Sequence, residues 1–362
     1  MSLLINQLLS NAQLTILDTD TFRKALKHDL RLLPDSPSMN DTDQFFSNIV
    51  LPHKLYLHQG LYSHFLEFWE RFFENIKKVD ISRFQKMHKG FPYYFCGVAA
   101  YMAHDYERAV FYFDAALSED AKNYPEFQKK DHSFQNKWTT APAALFLTLN
   151  ANNREQYAFE LTKLTRKLLE KALKKYRQES REKMNISLLN KLFLSPSLLN
   201  PGGWRSAVTA LFSYVLESDS RKKEFSLKSK HGGTQEPFFL HLFKGCLLFE
   251  TLLKLSPHWK GKDEKKPLGF ILKDPKIKTS LGINEKLSDE VRNKTFNDVI
   301  AKNVEWRNNN LSFYDRTVWT AYGIRNTTGH NLSWQTNMTT SDYINLSDDI
   351  LFANILTILK LF

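Results

Sequence analysis

Cysteine, glycine and proline are all scarce in this chain of 362 residues, and each scarcity excludes a class of protein. The two cysteines, Cys96 and Cys246, lie far apart in the sequence. Two thiols are too few for a disulfide scaffold or a cysteine-rich zinc site, and they favour a reducing compartment. The 13 glycines and 12 prolines are fewer than the tight turns of a sheet protein require. Because leucine is abundant and valine rare, the composition predicts an all-α fold.

Long apolar runs and metal-ligand patterns are also missing from the sequence. No uncharged apolar segment approaches the roughly 18 residues that a membrane helix needs, and Ile350–Leu359 comes closest. The first seven residues lack the basic start of a secretory signal. The histidines of the N-terminal half show no paired spacing with cysteines or carboxylates, and no phosphate-binding glycine loop occurs. We therefore expect a cytoplasmic protein without a membrane segment, a metal ion or a cofactor.

Positive charge is unevenly distributed along the chain. Residues 1–150 hold 16 Lys and Arg against 17 Asp and Glu, whereas residues 151–362 hold 34 against 22. The net charge of +11 therefore arises in the second part. Such asymmetry marks a half that binds a polyanion, or it reflects helix faces that are simply solvated. Charge alone leaves both interpretations open.

The segment 93–117 has the most regular pattern of the N-terminal half. Small and aromatic residues recur at helical spacing on both sides of a short turn. Five of them keep the spacing of a tetratricopeptide (TPR) repeat, which the segment resembles: Tyr93, Gly97, Ala109, Phe113 and Ala116. Small residues let two antiparallel helices approach closely, and Phe113 is expected to fill the seam between them. The resemblance implies TPR-like helical hairpins that dock a partner protein or an antitoxin.

Further helices are predicted from apolar spacing and from capping residues. They cover 61–79, 141–149, 153–184 and 204–217, followed by 236–255, 288–304, 313–324 and 347–361. Helix 153–184 has a basic outer face that is either solvated or follows a nucleic-acid backbone. Gly-Gly pairs indicate breakpoints near 202 and 232. The predicted organisation is an α-helical interaction region over 1–200, a connecting helix and basic linker over 201–235, and a helical bundle over 236–362.

The residue set with the clearest chemistry lies late in this bundle. Arg325 and Asn326 are followed by His330, between two predicted helices. This arrangement resembles the Arg-x(4–6)-His motif of the HEPN superfamily, in its Arg-Asn-x-x-x-His form. Many members of that superfamily are metal-independent ribonucleases. The resemblance covers about 236–362 and implies a HEPN-type bundle of four or five helices.

A second pattern, on the first helix of the bundle, supports the same resemblance. Several HEPN nucleases carry Glu-x-x-x-Lys-x-x-x-His there, and this chain has Glu250, Lys254 and His258. Glu250 and Lys254 are four residues apart, so they share a helix face and can pair. Glu250 is expected to position Lys254 or Arg325. Pro257 is expected to end or bend the helix before His258.

The resemblance implies RNA cleavage in which the 2′-hydroxyl attacks phosphorus and leaves a 2′,3′-cyclic phosphate. A base must accept the hydroxyl proton and an acid must protonate the leaving oxygen, and histidine titrates in the range that suits either task. Arginine supplies paired donors to phosphate oxygens. The expected catalytic residues are Arg325 and His330, the accessory residues are Asn326, Glu250, Lys254 and His258, and the expected RNA-binding residues are Lys260, Lys262, Lys265 and Lys266.

Other functions remain open at this point. The HEPN resemblance implies a homodimer through the C-terminal bundle, RNA as a partner, and a role as a toxin or antiviral-defence effector. The main alternative is a non-catalytic interaction protein that binds RNA, a nucleotide or a protein. A third possibility is an accessory subunit that acts beside a nucleotidyltransferase. An accessible groove shared by Arg325 and His330 near Glu250 would favour the nuclease, whereas burial of either in a structural ion pair would argue against it.

Overall fold

The computed structural model describes residues 3–9, 14–49, 51–123, 156–194, 203–227, 234–259, 261–263, 265–330 and 338–362. Every regular element in these residues is helical, which confirms the predicted all-α fold. The chain divides into two compact units, Met1–Thr162 and Lys163–Phe362, called here the first and the second unit. The predicted helix 141–149 lies outside the described residues.

The first unit is built around one aromatic helix. Its described α-helices are α1 (Leu4–Leu8), α2 (Asp20–Leu30), α3 (Met39–Ser47), α4 (Tyr62–Val79), α5 (Ile81–Lys86), α6 (Gly90–Met102) and α7 (Tyr106–Asn123). Trp69 of α4 is fully buried, and the ring centroids of Phe46, Phe68 and Phe72 lie 5.7, 5.5 and 5.6 Å from its own. All three rings meet it edge to face, a geometry that adds about 0.5–1.5 kcal/mol per pair beyond burial.

Helices α6 and α7 form the hairpin predicted from the sequence. A Cβ atom placed on Gly97 would lie 3.0 Å from the ring of Phe113, so any larger residue here would push the two helices apart or displace the ring by a few tenths of an ångström. Phe113 is fully buried in the seam. Asp105 starts α7 by accepting a hydrogen bond from the backbone N–H of Arg108, at 3.1 Å.

The second unit surrounds its last helix. Its helices are α8 (Gln156–Ser180, which begins in the first unit), α9 (Ile186–Leu189), α10 (Gly203–Leu227), α11 (Glu236–Leu255), α12 (Leu268–Leu272), α13 (Pro275–Leu281), α14 (Ser288–Val291), α15 (Phe296–Asn308), α16 (Phe313–His330) and α17 (Thr340–Leu361). Helix α17 packs against α10, α11, α13, α15 and α16, and almost its whole length is buried. A helix that other helices surround needs apolar residues on all of its faces.

The division between the units lies earlier than the boundaries predicted at 200 and 235. Tyr176 of α8 packs edge to face on Phe313 and Phe352 of the second unit, with centroids 5.2 and 5.8 Å apart. Tyr214 of α10 stacks on His241 of α11 at 4.3 Å. Both helices therefore contribute to the core of the second unit and are not a linker. The predicted helix 204–217 also continues to Leu227 as part of α10.

Three predicted helix boundaries in this unit were wrong. Residues 292–295 interrupt the predicted helix 288–304, because Thr295 caps a new helix, α15, with its side chain. The predicted helix 313–324 runs six residues further as α16. The predicted start at 347 lies inside α17, which begins at 340 with Thr339 as its N-cap. The polar residues taken for a helix start are buried instead, and their partners lie on other helices.

Candidate functional site

The candidate site forms where α11 and α16 lie side by side. Nε of Arg325 lies 2.9 Å from Oε2 of Glu250, and Nζ of Lys254 lies 2.7 Å from Oε1 of the same carboxylate. One turn of α11 sets the Glu250–Lys254 pair, as the spacing of four predicts. The structure therefore brings together three of the residues named from the sequence, with Glu250 holding one cation on each oxygen.

The charge state of this cluster follows from its surroundings. Burial would raise the pKa of Glu250, but hydrogen bonds and charges from Lys254 and Arg325 hold it below its ordinary value of 4.5. The carboxylate is thus ionised at neutral pH, and the three charged groups sum to one positive charge. Arg325 keeps 28% of its side-chain surface exposed, and its guanidinium lies 5.0 Å from the ring centroid of Phe243. This cation–π contact fixes the arginine without burying it.

The Arg-Asn-x-x-x-His motif lies on α16, not in a connection after it as expected. His330 is the last residue of that helix, and its side chain lies outside the described part of the structure. Five residues along an α-helix correspond to about 7.5 Å of rise and about 140° of rotation. Arg325 and His330 therefore occupy different faces of α16, while Asn326 shares its face with His330.

Asn326 lines a cleft on the side of α16 that carries Tyr322. The cleft has a volume of about 610 Å³, and its wall includes Phe270, Lys273, Arg292 and Lys294. None of its described lining residues is acidic. Sequence reasoning missed the cleft, because its walls come from three separate segments of the chain.

His258 does not continue the Glu250–Lys254 face. Helix α11 ends at Leu255, before Pro257, as the sequence predicted. His258 lies in the following turn, where its Nε2 is 3.5 Å from Oγ of Ser280 on α13. Among described residues this is the hydrogen-bond partner of His258, so the structure does not join it to the cluster.

The lysines of the predicted RNA-binding loop differ from one another. Lys262 pairs with Asp274 at 2.6 Å, and its ammonium lies 4.9 Å from the ring centroid of Trp259. Lys266 pairs loosely with Asp263 at 3.9 Å. Lys265 is exposed, and Lys260 lies outside the described residues. Two of the four positive charges are thus partly neutralised by carboxylates of the same region.

Two buried ionic clusters on α17 were not foreseen from the sequence. Asp349 is fully buried and receives Nη2 of Arg307 at 2.7 Å and Nε of Arg316 at 3.2 Å. Asp348 pairs with Lys222 at 2.7 Å and also with Lys175. Burial would raise the pKa of Asp348, but the two lysines hold it below its ordinary value of 3.8. Both clusters tie helices together, the first in the interior and the second at a partly exposed surface, so we assign them structural roles.

Among the described residues, no group of three or more His, Cys, Asp and Glu side chains is placed to bind a metal ion. No helix in the described part is both long and apolar enough to cross a bilayer. Comparisons of this chain with protein-family models, with curated proteins and with solved structures find no match.

Proposed function

We propose that the protein is a metal-independent endoribonuclease of the HEPN type, with Arg325 and His330 as its catalytic residues. The observation that supports this most is the ion cluster at α11 and α16. Glu250 holds the guanidinium of Arg325 and the ammonium of Lys254 together at a partly exposed surface. Two cations on one carboxylate leave a net positive charge, which is what a phosphate group requires of its binding site.

The reaction proceeds by internal attack on phosphorus. A base accepts the proton of the 2′-hydroxyl, the new P–O bond closes a 2′,3′-cyclic phosphate, and the bond to the 5′-oxygen breaks as an acid protonates it. His330 serves one of these two proton transfers, and Arg325 donates to the phosphate oxygens. Glu250 acts as a positioning residue, because it fixes the arginine through Nε.

The remaining parts of the proposal concern partners. Because Arg325 and His330 lie on different faces of one α16, the proposed site takes the Arg-His motifs of two copies of the chain, and such a homodimer would cut RNA as a toxin or defence effector. The first unit, with its α6–α7 hairpin, would dock a protein that controls this activity. We place the enzyme in the cytoplasm, where its RNA substrates are found.

Cleavage of total tRNA and rRNA in EDTA tests the proposal. Wild-type protein should yield 2′,3′-cyclic phosphate ends, and His330→Ala should lower the rate by about 10²–10⁴-fold, the usual contribution of a proton-transfer group. Arg325→Lys should also lose most activity, because lysine keeps the charge but not the paired donors. His64→Ala is the matched control, since His64 is an exposed histidine of the first unit. Cleavage that persists in His330→Ala would show that the catalytic site lies elsewhere.

One observation favours a second candidate, a non-catalytic module that binds RNA or a nucleotide. The Nε of Arg325 is already engaged by Glu250 in this structure, as in an ion pair that serves packing alone. A module would bind RNA with equal affinity in the wild type and in His330→Ala, and neither protein would cleave it. The pairing of binding and cleavage measurements on the same two proteins therefore separates the candidates.

A further inference from the structure

The cleft beside Asn326 has the charge of an anion site. Lys273, Arg292 and Lys294 line it, and none of its described lining residues is a carboxylate. Lys273 is paired with Glu285 at 3.5 Å. Within the described residues, no carboxylate lies within 4.0 Å of Arg292 or Lys294, and both side chains are exposed. Two positive charges therefore face this cleft without a direct counter-ion.

The turn that carries these two cations has a fixed shape. Asn293 lies between them with a φ of 55°, in the left-handed region that asparagine tolerates better than most residues. The turn separates α14 from α15, and Thr295 then caps α15. Because both flanking helices are anchored by buried residues, Val291 and Phe296, the fold sets the backbone position of the turn from which the two exposed cationic side chains extend.

An aromatic ring forms another part of the wall. Phe270 is 53% exposed, an uncommon state for a large apolar side chain. Its edge-to-face contact with Trp259, with centroids 6.2 Å apart, and the ammonium of Lys266 4.9 Å from its centroid hold the ring in place. A held, half-exposed ring beside phosphate-binding cations is the arrangement on which unpaired bases stack.

Side chains that can form hydrogen bonds also line the cleft. Asn326 and Tyr322, one turn apart on α16, line the cleft. An amide side chain can donate to and accept from the edge of a base. Gly269 allows Tyr322 to pack closely against this segment, because a Cβ atom there would lie 2.9 Å from the hydroxyl of Tyr322. The volume of about 610 Å³ lies within the range of small-molecule sites.

We propose that this cleft binds one unpaired nucleotide, with its base stacked on Phe270 and its phosphate held by Arg292 and Lys294. The proposal rests on the proposed function in one respect: His330 lies one helical turn beyond Asn326, so the nucleotide of a bound RNA would flank the scissile bond. A free nucleotide offers the same base and phosphate, and the experiment separates the two sources.

Binding is measured by fluorescence anisotropy with a labelled single-stranded RNA hexamer, in EDTA and in the His330→Ala background, so that cleavage does not interfere. Phe270→Ala should weaken binding by about 5- to 150-fold, the usual loss for one stacked base. Phe111→Ala is the matched control, because Phe111 is a 60% exposed phenylalanine of the first unit. It should leave the affinity unchanged.

Salt dependence tests the phosphate contact separately. Replacing both Arg292 and Lys294 by alanine should reduce the slope of log K against log salt by about 0.7, the value for one lost phosphate contact on a single strand. Lys276→Ala, an exposed lysine on α13 of the same unit, should leave the slope unchanged. An unchanged affinity in Phe270→Ala together with an unchanged slope would overturn the proposal.

Competition with adenosine monophosphate identifies the source of the nucleotide. If adenosine monophosphate binds more tightly than the hexamer and its binding requires Phe270, the cleft is a site for a free nucleotide. If the hexamer binds more tightly, the cleft is a site for RNA. Failure of the wild type to bind either probe overturns the cleft. Phe270-dependent binding without any cleavage retains the cleft and rejects the nuclease. Cleavage that depends on His330 but not on Phe270 retains the nuclease and rejects the cleft as a nucleotide site.

Discussion

Each unit buries one aspartate completely, and the two carboxylates are neutralised in different ways. Asp29 of the first unit accepts hydrogen bonds from the backbone N–H groups of Leu4 and Ile5, at 3.1 and 2.9 Å. Asp349 of the second unit pairs with Arg307 and Arg316. The first carboxylate anchors the start of α1 to α2, while the second holds three helices through charge.

The difference extends to the interiors as a whole. The first unit is held by a continuous aromatic cluster around Trp69, and residues 1–162 carry 17 Lys and Arg against 19 Asp and Glu. Residues 163–362 carry 33 against 20, and the second unit uses part of its charge inside. An apolar core tolerates changes of side chain that conserve volume, whereas a buried ion pair fails when one partner is removed. The first unit also buries a charged residue, Lys89, which pairs with Glu119 at 3.2 Å, but the second unit has two such clusters on α17 alone.

The largest effect on stability is expected from a substitution that breaks the ionic cluster at Asp349. Asp349→Ala should destabilise the second unit by about 3–5 kcal/mol, because Arg307 and Arg316 lose a fully buried counter-ion and keep only the less buried Glu179. Asp29→Ala should cost about 1–3 kcal/mol, since it leaves only backbone donors unsatisfied. Denaturant unfolding followed by hydrogen exchange of peptides from each unit measures both. Equal losses for the two variants would contradict the comparison.

Two glycines give the next contrast. A Cβ atom on Gly245 would lie 2.5 Å from the ring of Tyr214 and 2.6 Å from Ile350, against 3.0 Å from Phe113 at Gly97. Tyr214 cannot move away, because its hydroxyl donates to the carbonyl of Ser347 at 3.1 Å. Gly245→Ala should therefore cost about 2–3 kcal/mol and Gly97→Ala about 1 kcal/mol, within the range for overpacked cores. A thermal melt of each variant checks the order of the two losses. A larger loss for Gly97→Ala would show that the contact between α6 and α7 is less able to adjust than the contacts around Gly245.

Buried histidines make both units sensitive to acid. Burial, with a smaller contribution from His58, lowers the pKa of His53 to about 4, and burial lowers that of His241 to about 3. A histidine whose pKa falls on folding is neutral in the folded state, so stability is full above pH 6.5 and is lost as pH falls towards these values. His53→Phe should remove this acid sensitivity from the first unit at little cost at pH 7, because Nε2 of His53 has no hydrogen-bond partner among described residues. His241→Phe should cost about 1–3 kcal/mol at pH 7, since it abandons two buried hydrogen bonds.

Urea titrations of these variants between pH 4 and 8, with exchange read out for each unit, measure the slopes. A first unit that keeps its acid sensitivity in His53→Phe would assign that sensitivity to other groups. His64→Phe, a change at an exposed histidine, serves as the matched control.

The smallest loss of stability is expected at two helix N-caps, one in each unit, and it should be the same in both units. Ser38 and Thr339 each form a capping box, with an aspartate three residues later accepting from the cap. Alanine at either position should cost about 1 kcal/mol, because both caps are exposed and satisfy the same backbone donors. Chemical denaturation compares the two, and a difference well above that value would mean that a cap is coupled to its core.

Sequence periodicity predicted local structure well and distant pairing poorly. Helix α11 has the bounds expected for it, because its apolar spacing and the following Pro257 are local signals. Glu250 and Lys254 pair as their spacing predicts. Arg325 also pairs with Glu250, which was expected to position either Lys254 or Arg325. The end of α16 was placed too early because polar residues and a glycine there are typical of a loop, and tertiary packing outweighed that propensity.

The features missed from the sequence share one cause. Asp349 looked like the start of a helix, since its arginine partners are 33 and 42 residues away and a sequence pattern does not show them. The cleft joins Phe270, Arg292 and Asn326, which no periodicity relates. Local physics fixes helices, while the choice of charged partner depends on how the helices pack.

The ring of His241 has a consequence beyond its charge. The carbonyl of Tyr214 can only accept, so Nε2, at 3.2 Å from it, carries the hydrogen, and Nδ1 accepts from the hydroxyl of Tyr343 at 2.9 Å. One tautomer is therefore locked between α10, α11 and α17. Its Nε2 proton is shielded from solvent by complete burial and exchanges with deuterium only when these helices separate. A single imidazole resonance thus reports in real time how often these three helices separate.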